Sequence, residues 1–259
     1  MALIASVLHM ILMALTIIPV SIVMAVGRFF LPEKVIYHIG ARWCQFSIYT
    51  LRWLCRVKWR VTGLENLPAD PNARIVLLCK HQSAWETLAM NWVLQHDIVF
   101  VFKKELLQIP FFGWAIGSVD MIYIDRQART QAMQKVVSEG RRLIDKGRWV
   151  IMFPEGTRIP RGQTGSYKSG GARVAVATQA DIIPIAVTSA KCWPKGAFVK
   201  KPGTIDVVIG PAIPSAGRDH HELTHEVQTW IENQMRHIDP QAYTAEQVAQ
   251  QPVAQSETE

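Results

Sequence analysis

The sequence predicts an α/β domain with a mixed, largely parallel sheet flanked by helices. It also predicts a preceding N-terminal hydrophobic membrane-anchoring helix and an amphipathic interfacial helix. Short apolar runs alternate with helix-like runs between residues 57 and 215, the pattern typical of an α/β sheet. Residues 1–27 contain no Asp, Glu, Lys or Arg. Hydrophobic residues make up 49% of the 259 residues and charged residues 19%, which excludes a disordered chain.

The N-terminal segment, residues 2–27, is long and apolar enough to cross a membrane. As a helix it measures roughly 36–39 Å, against ~30 Å of hydrocarbon core. Its polar exceptions are Ser6, His9, Thr16 and Ser21. A signal peptide is disfavoured because no basic residue precedes the apolar run, whereas a re-entrant hairpin with the next segment is an alternative. Seven basic residues and one acidic residue in 28–60 predict that the bulk of the chain is cytoplasmic.

The next segment, residues 36–60, has imperfect helical amphipathicity. Apolar residues recur near helical spacing at Ile39, Trp43, Phe46, Tyr49 and Trp53. Ile48 and Leu51 fall off this stripe. Aromatic residues interspersed with Lys and Arg are typical of a helix that lies at a membrane surface. A helix docked on the domain core is the alternative.

The α/β domain is predicted from seven strand-like runs and four helix-like runs. The strand-like runs are 57–61, 74–79, 98–102, 121–124, 149–153, 182–187 and 204–209. The helix-like runs lie near 85–95, 129–146, 170–180 and 219–238. We therefore divide the chain into an anchor and interfacial helix (1–56), an α/β domain (57–238) and an acidic, disordered tail (239–259).

The charge and cysteine content restrict the partners and the compartment. A net charge of +7 and a pI near 9.4 indicate an acidic partner. Nucleic acid is not expected, because the densest basic run lies beside the apolar anchor and no helix-turn-helix or finger spacing occurs. The cysteines are Cys44, Cys55, Cys79 and Cys192. They form no C-x-x-C pair, which favours a reducing compartment over a zinc ribbon or a disulfide scaffold.

The first candidate for chemistry is the segment Lys80-His81-Gln82-Ser83-Ala84-Trp85-Glu86, which follows a buried-looking strand and precedes a helix. Reactive groups in α/β folds commonly lie in such loops. A carboxylate at Glu86 on the first helical turn could hold one ring nitrogen of His81, which would make His81 a general base. Alternatively, His81 is an ordinary loop residue and Glu86 is favoured by the helix dipole.

Four further strands carry polar groups at their ends or an internal proline. Phe153-Pro154-Glu155-Gly156-Thr157-Arg158 places a glycine turn, a hydroxyl and a guanidinium after one strand, although each is also common in ordinary turns. Asp125-Arg126 and Lys103-Lys104-Glu105 follow two others, where surface salt bridges are the alternative. Pro184 interrupts a fourth strand, which is typical of an edge strand or a bulge.

Together these blocks resemble the lysophosphatidic acid acyltransferases, that is the 1-acyl-sn-glycerol-3-phosphate acyltransferases. The family's H-x4-D motif is matched by His81 and Glu86, with Glu where the family usually has Asp. The FPEGTR signature appears whole at 153–158. Further matches, in order, are Lys103-x-Glu105-Leu106, Ile109–Gly113, Ile124-Asp125-Arg126, Tyr167-Lys168-x-Gly170 and Ile183-Pro184-Ile185.

The resemblance implies the roles of the site residues. His81 would deprotonate the sn-2 hydroxyl of 1-acylglycerol-3-phosphate, which attacks the thioester of an acyl-CoA or acyl carrier protein, and Glu86 would orient His81. The acceptor site would contain Lys103, Arg126, Glu155, Gly156, Thr157 and Arg158. No metal, other cofactor or acyl-enzyme is implied. Catalysis is expected on the cytoplasmic face of the inner (plasma) membrane, with the basic segment 28–60 against anionic lipids.

Other functions remain as alternatives. The acceptor could be a different lysolipid, such as a lyso-amino-acid lipid. His221-Glu222-Leu223-Thr224-His225 is a literal H-E-x-x-H motif, which suggests a membrane-anchored zinc protease. Its polar flanks instead favour a solvated amphipathic helix. The residues predicted for the buried face of that helix are Leu223, Val227, Trp230, Ile231 and Met235. An inactive scaffold that retains the fold is a further alternative.

Overall fold

The computed structural model of the protein describes residues 1–125 and 129–243, and within them seven strands form one sheet. The strands are β1 (Val57–Thr62), β2 (Ile75–Cys79), β3 (Ile98–Lys103), β4 (Ile122–Ile124), β5 (Trp149–Met152), β6 (Asp181–Val187) and β7 (Gly203–Ile209). Their order is β1-β7-β6-β2-β5-β3-β4. All neighbouring pairs are parallel except β6 and β7. The predicted α/β fold with a mixed, largely parallel sheet is confirmed.

Helices cover both faces of this sheet. They are α1 (Ala2–Gly27), α2 (Glu33–Cys55), α3 (Trp85–Val93), α4 (Phe112–Ile116), α5 (Arg129–Ile144), α6 (Gly170–Thr178) and α7 (His220–Ile238). Strand β2 illustrates why its sequence is continuously apolar: Leu77 and Cys79 pack towards α2 and α3, whereas Val76 and Leu78 pack towards α5, α6 and α7. Strands buried on both faces need apolar residues at every position.

The two N-terminal helices form a hairpin that packs along the domain. Near the start of α1, the Ser6 hydroxyl accepts a hydrogen bond of 2.9 Å from the main-chain nitrogen of Lys200. Near its end, Met24 packs in one cluster with Ile36 of α2 and Ala115 of α4. Both ends of α1 therefore contact the rest of the protein. Among the described residues, α1 is the helix that is long and apolar enough to cross a membrane.

The buried face of α2 includes residues that lie off the apolar stripe seen in the sequence. The side chains buried against the domain include Ile48 and Leu51, which lie off that stripe. Phe46 and Trp53, which lie on it, are exposed. The reason is that α2 has two neighbours, α1 and the domain, so its contacts cover more than one face. The two contact surfaces account for the imperfect amphipathicity of this segment, and the alternative of a helix docked on the domain core holds for Ile48 and Leu51. An interfacial position for the exposed aromatic side chains stays a prediction.

The C-terminal helix α7 packs as predicted for an amphipathic helix. Leu223, Val227, Ile231 and Met235 are fully buried, and Trp230 is half-buried. The first residues of the predicted tail also pack on the domain: Asp239 is buried, and a 3-10 helix spans Pro240–Ala242. The rest of that segment, 244–259, lies outside the described residues.

Candidate active site

The site is assembled where two adjacent parallel strands end. Strand β2 pairs with β5 in parallel register, with Leu78 opposite Met152. The loops that follow them, 80–84 and 153–169, therefore begin side by side at the carboxyl edge of the sheet. This edge is where α/β folds place ligands. It brings together His81, Glu86 and the segment 153–158, which the sequence singled out separately.

Main-chain hydrogen bonds and a stacked ring hold His81. Its nitrogen donates to Glu155 Oε2 at 3.0 Å, and its carbonyl oxygen accepts from the Ile159 nitrogen at 2.8 Å. The imidazole stacks on the Phe153 ring, with centroids 3.9 Å apart and planes 17° from parallel. Its side chain is 12% exposed. The ring is therefore fixed in orientation but open to the surface on one side.

The Glu86 carboxylate faces the inner nitrogen of His81. Glu86 Oε2 lies 3.9 Å from His81 Nδ1, which is buried and has no hydrogen-bond partner among the described residues. The Glu86 oxygens accept hydrogen bonds from the main-chain nitrogens of Gln82 and Ser83 and from the Ser189 hydroxyl. Burial raises the pKa of Glu86 to about 7, against the opposing effect of these donors.

The surroundings of His81 favour a neutral imidazole. Burial lowers its pKa, and the positive charges of Arg158 and Lys195 lower it further, to about 3. A neutral imidazole has a free lone pair and can accept a proton. Because Nδ1 faces Glu86, Nε2 is the nitrogen directed away from that carboxylate. The arrangement can therefore act as a base on a group that approaches Nε2.

The FPEGTR segment divides between the interior and the surface. Glu155 is buried, with Oε1 2.6 Å from Lys80 Nζ and Oε2 on the His81 nitrogen. Gly156 has a φ of +64°, which allows the tight turn that reverses the chain here. Thr157 is exposed and Arg158 is half-buried. Glu155 thus lies on the interior side of His81, whereas Thr157 and Arg158 lie at the surface, where a ligand could reach them.

One predicted site residue, Lys103, lies apart from His81, and another, Arg126, is not among the described residues. Lys103 is exposed at the end of β3, at the same carboxyl edge but beyond β5. Sequence reasoning missed two residues that the fold does bring close. Ser189 binds Glu86, and Lys195 Nζ lies 3.4 Å from Thr157 Oγ1. The available signal was their position just after the strand containing Pro184, in a lysine-rich loop.

The H-E-x-x-H motif lies on the solvent side of α7. The side chains of His221, Glu222 and His225 are exposed, and Glu222 pairs with Arg218 at 3.0 Å. Across residues 1–125 and 129–243, no group of three His, Cys, Asp or Glu side chains is placed to hold a metal ion. This arrangement does not resemble the buried, converging ligands of a zinc protease.

Comparisons with known proteins agree with the geometry. Residues 58–188 match the family model described as Acyltransferase. A 1-acyl-sn-glycerol-3-phosphate acyltransferase of Pseudomonas aeruginosa is 40% identical over 214 residues, covering 81% of this chain and 82% of the relative. A relative of the same name from Haemophilus influenzae is 31% identical over 53% of this chain and 59% of its own length.

The fold also matches a solved structure. The crystal structure of the 1-acyl-sn-glycerophosphate (LPA) acyltransferase PlsC from Thermotoga maritima superposes with a TM-score of 0.73. It is 20% identical and covers 92% of this chain and 95% of that chain, so it supports the fold alone. On the family match and the 40% identity over most of both chains, this chain belongs to the 1-acyl-sn-glycerol-3-phosphate acyltransferase family.

Proposed function

We propose that this protein acylates the free sn-2 hydroxyl of 1-acylglycerol-3-phosphate to give phosphatidic acid, with an acyl-CoA or acyl carrier protein thioester as donor. The observation that carries this proposal is the His81 ring, stacked on Phe153 with Nδ1 facing Glu86, beside two cations, Arg158 and Lys195, that lower its pKa. Such a site combines a base for a hydroxyl with charges for a phosphate. The names of the relatives point to the same reaction.

The proposed reaction uses His81 as the general base. Its Nε2 accepts the proton of the acceptor hydroxyl as the oxygen attacks the thioester carbonyl. The new C–O ester bond forms, the C–S bond breaks, and the proton passes from His81 to the leaving thiolate. Glu86, 3.9 Å from Nδ1, orients the ring and stabilises the imidazolium while it exists. The thioester supplies the driving force, so the protein supplies position and charge.

Arg158, Lys195 and the Thr157 hydroxyl form the proposed phosphate site. A phosphomonoester carries up to two negative charges and several acceptor oxygens, which suit a guanidinium, an ammonium and a hydroxyl. Gly156 lets the main chain of the turn come close to the ligand. Lys103, at the same edge of the sheet, is proposed as a further cation. The role of Arg126 in this site stays a prediction, and we propose for Glu155 a role in holding His81.

The experiment that tests the function is an acceptor panel with the purified full-length protein. The acceptors are 1-acylglycerol-3-phosphate, lysophosphatidylcholine, a lyso-amino-acid lipid and monoacylglycerol, each with acyl-CoA and with acyl carrier protein, and mass spectrometry identifies the products. We expect phosphatidic acid as the main product. Preferred acylation of another lysolipid would refute the proposed acceptor, and the ratio of rates with the two donors would identify the donor.

Replacing Lys195 with glutamine tests the second cation. We expect kcat/KM for 1-acylglycerol-3-phosphate to fall about two- to fivefold, the range for an exposed charge. The pH profile should also change. The lowered pKa of His81 keeps this base neutral at pH values below its ordinary pKa of about 6.5. Removing a nearby cation raises that pKa, so the acid limb of kcat/KM should move to higher pH.

Lys201→Gln is the matched control, because Lys201 is exposed in the same loop. The ionisation of the acceptor phosphate affects the pH profiles of both variants and of the wild type equally. A difference between the profiles therefore arises from a titrating group of the enzyme. An acid limb that coincides for Lys195→Gln and Lys201→Gln would remove Lys195 from the surroundings of His81.

The N-terminal hairpin is proposed to lie in one leaflet at the cytoplasmic face of the inner membrane. Both ends of α1 contact the domain, through Ser6 and Met24, so the helix does not lead away from it to the far side of a membrane. The exposed apolar side chains of α1 and the hairpin turn are Leu3, Ile4, Val7, Leu8, Ile11, Leu15, Ile18, Ile22, Val23, Val26, Phe29, Phe30 and Leu31. Such a surface is stable only against lipid or another apolar surface.

Phe29 and Phe30 at the turn are 77% and 80% exposed, and the variant Phe29→Ser/Phe30→Ser tests their insertion. Burying a Phe side chain in an apolar phase contributes about 1.5–3 kcal/mol. We therefore expect the double variant to bind vesicles at least about tenfold more weakly in a flotation assay. Leu64→Ser, an equally polar change at an exposed site outside the hairpin, is the control. Equal binding by both variants would contradict insertion of the turn.

A further inference from the structure

The C-terminal helix supplies a buried carboxylate next to the site. Glu232 of α7 is 3% exposed. Its Oε1 accepts from Lys80 Nζ at 2.6 Å and from the Tyr167 hydroxyl at 2.8 Å, and its Oε2 accepts from the Thr164 hydroxyl at 2.9 Å. Helix α7 lies outside residues 58–188, which the family model matches. Neither its sequence nor the blocks of the resemblance indicate a role in the site.

Lys80 joins this carboxylate to His81. The ammonium group is fully buried and donates to Glu155 Oε1 at 2.6 Å, to Glu232 Oε1 at 2.6 Å and to the Gln163 carbonyl at 3.2 Å. The other oxygen of Glu155 accepts from the His81 nitrogen. A continuous series of charge-assisted contacts thus runs from α7 to the main chain of His81. We name Lys80, Glu155 and Glu232 the Lys80 network.

The Lys80 network is costly as a purely structural device. Three charged groups lose their hydration in the interior, and well-packed apolar residues often stabilise a fold as well or better. The charged groups instead fix the positions of the segments that they join, because carboxylate and ammonium groups form hydrogen bonds of short length and defined angle. The end point of those contacts is the main chain of His81.

A second set of contacts holds the loop after the FPEGTR segment, residues 159–169, to the end of α7. Arg161 makes two hydrogen bonds of 2.7 and 2.6 Å to the Asp239 carboxylate. Gly162 passes so close to residue 242 that a Cβ on it would lie 2.0 Å from the Ala242 carbonyl oxygen. The loop that follows the FPEGTR segment is therefore fixed against residues 232–242 at two separate points.

We propose that Glu232 is a positioning residue for acyl transfer, acting through Lys80 and Glu155 to fix the main chain of His81, so that the C-terminal helix completes the active site. This inference rests on the proposed function of His81 as the base. A side chain that only stabilises the fold would affect kcat no more than any other buried residue of α7 does.

The test is Glu232→Gln in the full-length protein, assayed with 1-acylglycerol-3-phosphate and acyl-CoA. Glutamine keeps the shape but removes the charge that faces Lys80. We expect kcat to fall at least tenfold, while KM for both substrates stays within about threefold. Glu226→Gln, the same change at an exposed position of α7, should leave both constants unchanged.

Leu223→Ala separates positioning from stability. Leu223 is fully buried in the apolar cluster under the same helix and lies nine residues before Glu232, roughly 13.5 Å along the helix axis. We expect it to lower Tm at least as much as Glu232→Gln while keeping kcat within threefold of wild type. Tyr167→Phe removes one hydroxyl from Glu232 and should lower kcat about two- to fivefold, so the proposal is testable even if Glu232→Gln fails to fold.

Two outcomes would overturn the proposal. One is a Glu232→Gln variant with wild-type kcat. The other is a Leu223→Ala variant that loses as much kcat as Glu232→Gln, because the loss would then follow stability and not position. Amide exchange of the peptides covering 80–87 gives a readout without substrate, and it should accelerate in Glu232→Gln but not in Glu226→Gln. If the wild type acylates only another lysolipid, the proposed function fails while the ratio of the two variants on that acceptor still decides the role of Glu232.

Discussion

His81→Gln will lower kcat for acyl transfer about 10²–10⁴-fold, the usual contribution of a general base. Glutamine is polar and of similar length but cannot accept and return a proton near neutral pH. The hydrogen bonds that hold this position, to Glu155 and from Ile159, involve the main chain and are retained. The loss should therefore appear in initial rates with little change in Tm.

The chain offers a matched control in His96→Gln. His96 stacks on Trp149 with centroids 3.9 Å apart, as His81 stacks on Phe153, but it precedes β3 at the opposite edge of the sheet. We expect this variant to keep its activity even if it loses some stability. Should His81→Gln retain more than a tenth of wild-type kcat, the assignment of His81 as the base is wrong.

Arg158→Gln will raise KM for the phosphate-bearing acceptor and lower kcat/KM about 10- to 150-fold. Hydrogen bonds to charged groups contribute about 1.5–3 kcal/mol, and this variant removes one of the charged groups that we propose to bind the phosphate. The KM for the acyl donor and the rate with monoacylglycerol, which has no phosphate, should change far less. Both are measured by steady-state kinetics with one substrate varied.

Arg173→Gln on the exposed face of α6 is the control for a lost positive charge. An unchanged KM for the acceptor in Arg158→Gln would place the phosphate elsewhere. An equal rise in KM for both substrates would indicate that Arg158 supports the loop rather than one ligand.

The local part of the site could be predicted from the sequence. Continuous apolar runs predict strands because both faces of this sheet are covered, and all seven runs overlap the observed strands. The contact between His81 and Glu86 spans five residues across one strand end and one helical turn. Two residues at this spacing, one in a loop and one on the first turn of the following helix, lie close together in most conformations. The sequence was therefore sufficient to predict their proximity.

The long-range part could not be predicted from the sequence. Ser189 reaches Glu86 because β6 pairs beside β2, and Glu232 reaches Lys80 because α7 packs on the sheet. No local pattern marks either residue. The inward direction of Glu155 was missed for a related reason. A Pro-Glu-Gly turn predicts a change of direction but not which side chain faces the interior.

The contacts at both ends of α1 have a consequence for how the reaction is supplied. The proposed position of the hairpin in one leaflet would keep the site at a fixed depth beside that leaflet. The acceptor would then arrive by lateral diffusion, and its effective concentration would be its mole fraction among the lipids of the surface. Rates should therefore depend on the composition of the vesicle and fall on dilution with inert lipid at constant bulk concentration.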